Sequence, residues 1–125
     1  MNLKVEFFEG KISEAIGAGI YGIYAKTNGK EKLLYIGESV FVLVRCATHL
    51  YKIAKGNGYL GFTNEMIDSC NTTLIFKLLA LEGDKSQRKK DEKQFIKDKK
   101  PIMQSGISDR VKPIESMINE LTNTL

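Results

Sequence analysis

The sequence predicts an α+β domain in which helices flank a small, mainly antiparallel sheet of three strands or slightly more. Three observations carry that expectation. Two segments rich in Ile, Leu and Tyr, residues 19–26 and 33–37, are separated by an Asn-Gly pair. An amphipathic stretch follows Ser39, and a segment with a β-branched start, Thr72–Leu81, precedes a long charged stretch. Alternation of these patterns fits helices packed on one sheet. At 125 residues with two prolines, no repeat and no low-complexity tract, residues 1–125 read as a single domain.

In chain order, Leu3, Val5 and Phe7 alternate with polar residues and predict a short first strand. Gly19–Lys26 and Leu33–Gly37 then form an antiparallel hairpin around Thr27-Asn28-Gly29-Lys30, and the thirteen residues from Gly22 to Leu34 predict an extended loop. Ser39 is placed to cap a helix reaching about Lys55, with Val40, Leu43, Ala47, Leu50 and Ala54 as its apolar stripe. Arg45, His49 and Lys52 share a different stripe of that helix. Gly56-Asn57-Gly58 stops it, and Phe62–Cys70 predicts a short helix. Thr72–Leu81 is assigned to a strand, with a buried helix as the competing reading. Asp84–Lys99 predicts a helix ended by Pro101, and a helical extension lies within about 107–123, with Ile114, Met117, Ile118 and Leu121 on one stripe.

Composition narrows the setting. No run of about 20 apolar residues exists and no targeting pattern opens the chain, so an intracellular, cytoplasmic protein without membrane contact is expected. Cys46 and Cys70 make no metal or redox pair and read as buried thiols. The net charge is +4, and the segment from Asp84 to Lys100 holds eight Lys or Arg against four Asp or Glu. That segment carries an excess equal to the whole chain's. Two readings fit it equally from charge alone: a basic surface for a phosphate backbone, or a solvated helix face laced with ion pairs.

Two tripeptides, Gly19-Ile20-Tyr21 and Tyr35-Ile36-Gly37, stand at the centre of the functional reading. Alone, each describes an ordinary buried hairpin. Arg45 follows Tyr35 by ten residues, His49 comes one helical turn later, and Glu92 opens a segment ending Lys100-Pro101-Ile102-Met103-Gln104. In order, type and approximate spacing these positions resemble the GIY-YIG nuclease family, over about 19–104.

The resemblance implies a metal-dependent endonuclease that hydrolyses DNA to 5′-phosphate and 3′-hydroxyl ends by direct water attack. It assigns catalysis to Tyr21, Tyr35, Arg45, His49 and Glu92. Glu92 would hold one divalent ion, Mg²⁺ or Mn²⁺, hard cations that prefer oxygen ligands. Its helical position beside Phe95 and Ile96 turns it inward, where a carboxylate needs a partner or a cation; an ion pair with Arg88 is the plainer alternative. Arg45 offers a planar cation for phosphate oxygens, or else a solvated charge. His49, the only histidine, would relay a proton or orient water near neutral pH. Tyr21 would take the proton of the attacking water and Tyr35 would position water or phosphate, although a phenol with a pKa near 10 is a poor base without a cation nearby. Lys52, Arg88, Lys89 and Gln104 are the expected DNA contacts.

Gly22-Ile23-Tyr24 repeats the first tripeptide, so Tyr24 competes with Tyr21 for the role of base; the two tyrosines point to opposite faces of a strand. Gln104 stands where the family usually has asparagine, which keeps an amide on a longer arm. Glu38 would repel phosphate unless it pairs with Arg45 or a lysine. A non-cleaving nucleic-acid-binding module of the same fold, and a structural domain with a chance motif, are the alternative readings. Little chain lies outside the core, so loose target specificity is expected. The last helix either caps the core or forms a homodimer interface.

Overall fold

Asn28 and Gly29 both take positive φ, 53° and 79°, and Thr27 pairs directly with Lys30. This is the two-residue turn whose twist matches that of antiparallel strands. The extended loop expected here is therefore replaced by a tight turn, and the extra residues lengthen the ladder instead. The computed structural model describes residues 2–68 and 70–104. Among them are strands β1 (Lys4–Phe7), β2 (Gly19–Thr27), β3 (Lys30–Ser39) and β4 (Thr72–Leu81). Helices α1 (Ile12–Ala15), α2 (Val42–Ala54), α3 (Asn64–Asp68) and α4 (Lys85–Lys99) connect or follow them, with a 3-10 turn at Tyr59–Gly61.

The sheet runs β1-β4-β2-β3. Strand β2 is antiparallel to β3 and β4, whereas β1 lies parallel to β4, so the sheet is mixed. Opposite β2, Ile23 pairs with Tyr35 and Tyr24 with Leu33, which leaves Leu34 as the extra residue of a bulge. The fold is thus α+β, with a four-stranded mixed sheet flanked by helices.

One face of the sheet, through Tyr21, Ile23, Tyr35, Leu74 and Phe76, packs on Val42, Cys46 and Ile53 of α2. Leu60, Phe62 and Ile67 from the connection to β4 close the same core. Phe7, Phe8 and Phe76 add edge contacts with ring centres 4.8 Å and 5.0 Å apart for the Phe7 pairs.

Two expectations about α2 need correction. Ser39 is the last residue of β3, and its hydroxyl accepts from the Phe41 amide at 3.0 Å, so it shapes the approach to the helix but does not cap it. The inward line of α2 is Val42, Arg45, Cys46, Thr48, His49 and Ile53. Val40 lies before the helix and is exposed, Ala47 and Ala54 are exposed, and Leu43 and Leu50 form only its flank. A stripe drawn from apolar residues alone misses the true interior, because Arg45 and His49 are both buried, the histidine between two tyrosine hydroxyls. Cys46 is buried as expected; Cys70 is exposed, in the turn before β4, where no packed element covers it.

Helix α4 starts where Asp84 accepts from the Gln87 amide at 2.8 Å, and ends at Lys100, φ 49°, ahead of Pro101. It packs on β3 and β2. Beyond it the chain returns to the free margin of β3: the Ile102 and Met103 amides donate to the Leu33 and Leu34 carbonyls at 3.1 Å and 2.8 Å. The helical extension expected within 107–123, and with it the cap or dimer interface, lies outside the described residues. Among those described, no helix is long and apolar enough to cross a membrane.

Candidate active site

The β2–β3 register sets Tyr21 directly across from Gly37. A methyl group at 37 would overlap the Tyr21 hydroxyl and ring, so the bare glycine is what lets that ring lie across its neighbour. Tyr21 and Tyr35 are each 1% exposed and point to the α2 side of the sheet, with ring centres 6.3 Å apart.

His49 comes down from α2 between them, fully buried, its ring centre 5.6 Å from Tyr21 and 5.3 Å from Tyr35. Its Nε2 lies 2.8 Å from the Tyr21 hydroxyl and its Nδ1 2.7 Å from the Tyr59 hydroxyl. Burial pushes the His49 pKa well below its usual value, and the positive charges of Arg45 and Lys52 push it further down. A neutral imidazole offers one donor and one acceptor, so one phenol accepts from it and the other donates to it.

Arg45 is 8% exposed and stands one turn before His49 on the same inward line. Lys52 is half-buried, its ammonium 5.5 Å from the centre of the Tyr59 ring. Tyr24 takes no part in this cluster: its ring lies under the Lys77 ammonium at 4.6 Å, and partial burial raises its pKa. Of the two candidate tyrosines, it is Tyr21 that meets the histidine.

Glu92 is a buried residue of α4, one turn beyond the buried Arg88, with Phe95 and Ile96 half-buried on the following turn. Arg88 has a partner that the sequence did not suggest for it. Its Nε bonds the Glu38 carboxylate at 2.6 Å, and an Nη donates to the Glu82 and Gly83 carbonyls, both at 3.2 Å. It therefore takes up the charge of Glu38, a partner 50 residues away, and is itself turned inward. Glu38 alternates to the side of β3 away from Tyr35 and Gly37, and exposed Lys89 adds a looser contact with it at 3.8 Å.

Gln104 uses both ends of its amide on one residue. Its oxygen accepts from the Ile36 amide and its nitrogen donates to the Ile36 carbonyl, each at 2.9 Å, as a neighbouring strand would. The longer arm noted in the sequence thus fastens the chain beside the tyrosine strand. Along α4, Lys85, Lys89, Lys90, Lys93, Lys97 and Lys99 are exposed, which makes the basic excess a surface property.

The structure therefore gathers Tyr21, Tyr35 and His49 into one buried cluster, sets Arg45 beside His49 on the helix, and brings Glu92 to the buried side of α4. Tyr59 is the member that sequence reasoning missed. It sits in a glycine-flanked 3-10 turn where Leu60 has φ 54°, so no helical or strand periodicity points to it. The only signal was an aromatic residue ten positions after the single histidine. Among the described residues no group of three or more His, Cys, Asp or Glu side chains is placed to hold a metal ion. An ion held there by a single carboxylate would draw its remaining ligands from water and substrate, a habit of Mg²⁺. Compared with family models, curated proteins and solved structures, the chain matches none.

Proposed function

We propose that this protein is a metal-dependent DNA endonuclease of the GIY-YIG type, hydrolysing phosphodiester bonds to 5′-phosphate and 3′-hydroxyl ends. The observation that carries the reading is the hydrogen bond between Tyr21 and a fully buried His49, whose pKa burial holds well below its usual value. A phenol alone is a poor base, but one whose proton can move to an adjacent imidazole nitrogen can accept a proton from water as it gives up its own. The base is therefore Tyr21 and not Tyr24. Tyr35, on the next strand, orients water or phosphate.

Arg45 brings a fixed cation to the same helix turn, suited to charge that grows on phosphoryl oxygens. Glu92 is the residue that would hold Mg²⁺ or Mn²⁺: a buried carboxylate suits a hard ion, and the ion would relieve charge on the phosphate and leaving oxygen. The exposed lysines of α4, with Lys52 near the cluster, supply the attraction for a DNA backbone. The same lysines would serve a module that binds without cutting, so binding alone does not discriminate.

Plasmid nicking with Mg²⁺ does. Tyr21→Phe, Arg45→Ala and Glu92→Ala are each expected to slow cutting by about 10² or more while DNA is still bound in a gel-shift assay. Undiminished cutting by Arg45→Ala and Glu92→Ala would overturn the assignment. Tight binding with no cutting by the unmodified protein on any DNA would favour the non-cleaving module.

A further inference from the structure

His49 has no exposed surface, so a proton that reaches its ring cannot pass directly to bulk water. Its two nitrogens meet two phenols of unlike surroundings. Tyr21, 2.8 Å from Nε2, is 1% exposed, whereas Tyr59, 2.7 Å from Nδ1, is half-buried on the turn after Gly58. The ring also resists storing a proton, because burial and the charges of Arg45 and Lys52 oppose the imidazolium form. A neutral ring between two hydroxyls escapes that penalty if it takes a proton at one nitrogen while releasing one at the other.

We propose that Tyr59 is the solvent outlet of a Tyr21–His49–Tyr59 proton wire, and that its hydroxyl fixes the His49 tautomer that carries its proton on Nδ1. The part played in turnover rests on the nuclease reading; the wire itself does not. In the resting state Nδ1–H donates to the Tyr59 oxygen and the Tyr21 hydroxyl donates to Nε2. On transfer, the Tyr21 proton moves to Nε2, the Nδ1 proton moves to the Tyr59 oxygen, and the former Tyr59 hydroxyl proton leaves to solvent water. The Tyr21 oxygen takes the proton of the attacking water in the same event. The imidazole remains neutral and ends in the opposite tautomer; it resets by the reverse shift, in which Tyr59 gives its proton to Nδ1 and takes one from solvent while Nε2 returns its proton to the Tyr21 oxygen and Tyr21 releases one to water in the vacated site. Tyr59 touches no reacting atom of the substrate and acts through His49, as a positioning residue, and the Lys52 ammonium 5.5 Å from its ring centre favours loss of the hydroxyl proton over a gain of positive charge there.

The test is nitrogen and proton NMR of the His49 ring in the full chain, without DNA or metal, comparing the unmodified protein with Tyr59→Phe. That change removes one oxygen and keeps the ring. The unmodified protein is expected to hold its proton on Nδ1; in the variant the tautomers mix, and exchange of the ring proton with solvent slows by about tenfold or more, since the outlet hydroxyl is gone. A proton resting on Nε2, or ring-proton exchange that is unchanged or faster in Tyr59→Phe, would overturn the wire. With plasmid DNA and Mg²⁺, the variant is expected to lose about tenfold or more in kcat with DNA affinity held, and an unchanged kcat would remove the wire from turnover. Absence of cutting by the unmodified protein would count against the nuclease reading alone, since the exchange measurement needs no activity. Should Tyr59→Phe fail to fold, 3-fluorotyrosine at 59 replaces it; a shifted exchange rate supports the outlet and an unshifted one overturns it.

Discussion

Helices α2 and α4 each bury an arginine with a second ionisable side chain one turn later, Arg45 with His49 on one, Arg88 with Glu92 on the other. Arg88 and His49 show how differently burial can be used. Arg88 is held by a carboxylate and two backbone carbonyls, groups that do not exchange protons with it. His49 is held by two hydroxyls, each able to donate or accept. A buried charge with fixed acceptors secures a junction between elements; a buried ring between hydroxyls can change state without moving. The Arg88–Glu38 junction thus has fixed partners, whereas His49 and its phenols have partners that can trade protons, the property on which the proposed chemistry rests.

The sharpest break in that contrast is Arg88→Met. It leaves Glu38, whose side chain is only 17% exposed, without its main partner, and is expected to cost about 3–5 kcal/mol in urea unfolding. Adding Glu38→Leu should recover most of the loss, because an apolar pair of similar size replaces a desolvated ion pair. No recovery would mean that the junction does more than neutralise charge. Gly37→Ala strikes the other side of β3. The new methyl group forces Tyr21 from its place, with an expected cost of about 1–3 kcal/mol and loss of the Tyr21–His49 hydrogen bond in the NMR spectrum.

The pH dependence of stability isolates His49. In the unfolded chain a histidine takes up a proton near pH 6.5, whereas the folded ring resists it, so stability is full above that pH and falls as pH drops toward the lower folded value. The slope contributed is at most about 1.4 kcal/mol per pH unit. Urea midpoints between pH 7.5 and 5 should fall less steeply for His49→Gln than for the unmodified protein; parallel curves would mean that the buried ring does protonate. The smallest effect belongs to Lys89→Ala. Its ammonium is 51% exposed and 3.8 Å from Glu38, so stability should change by less than about 1 kcal/mol, while the salt dependence of DNA binding becomes shallower.

Local chemistry was readable in the sequence where it decides structure by itself. Asn28-Gly29 forces the hairpin turn, the β-branched start of Thr72–Leu81 yields β4 over the expected residues, and Asp84 with Pro101 brackets α4. Tyr21, Tyr35 and His49 meet as their order implied, since neighbouring strands and the helix that follows leave few other arrangements. What escaped depends on distant partners. The inward face of α2 was misread because a histidine and an arginine look like surface residues until Tyr21 and Tyr59 are placed beside the ring. The Glu38–Arg88 pair spans 50 residues, and the parallel pairing of β1 with β4 joins Lys4 to Thr73, contacts that no local pattern encodes.

The segment from Ile102 to Gln104 has a consequence for how the molecule behaves in a crowd. Strand β3 is the last of the sheet, and backbone groups at such a margin invite a strand from another chain. Here the Leu33 and Leu34 carbonyls and both polar groups of Ile36 are already engaged by the molecule's own returning chain. The opposite margin, β1, is only four residues long, with Lys4 and Glu6 pointing to solvent. Among the described residues neither border offers a long apolar template, so this sheet is guarded against growing from one molecule into the next by strand addition.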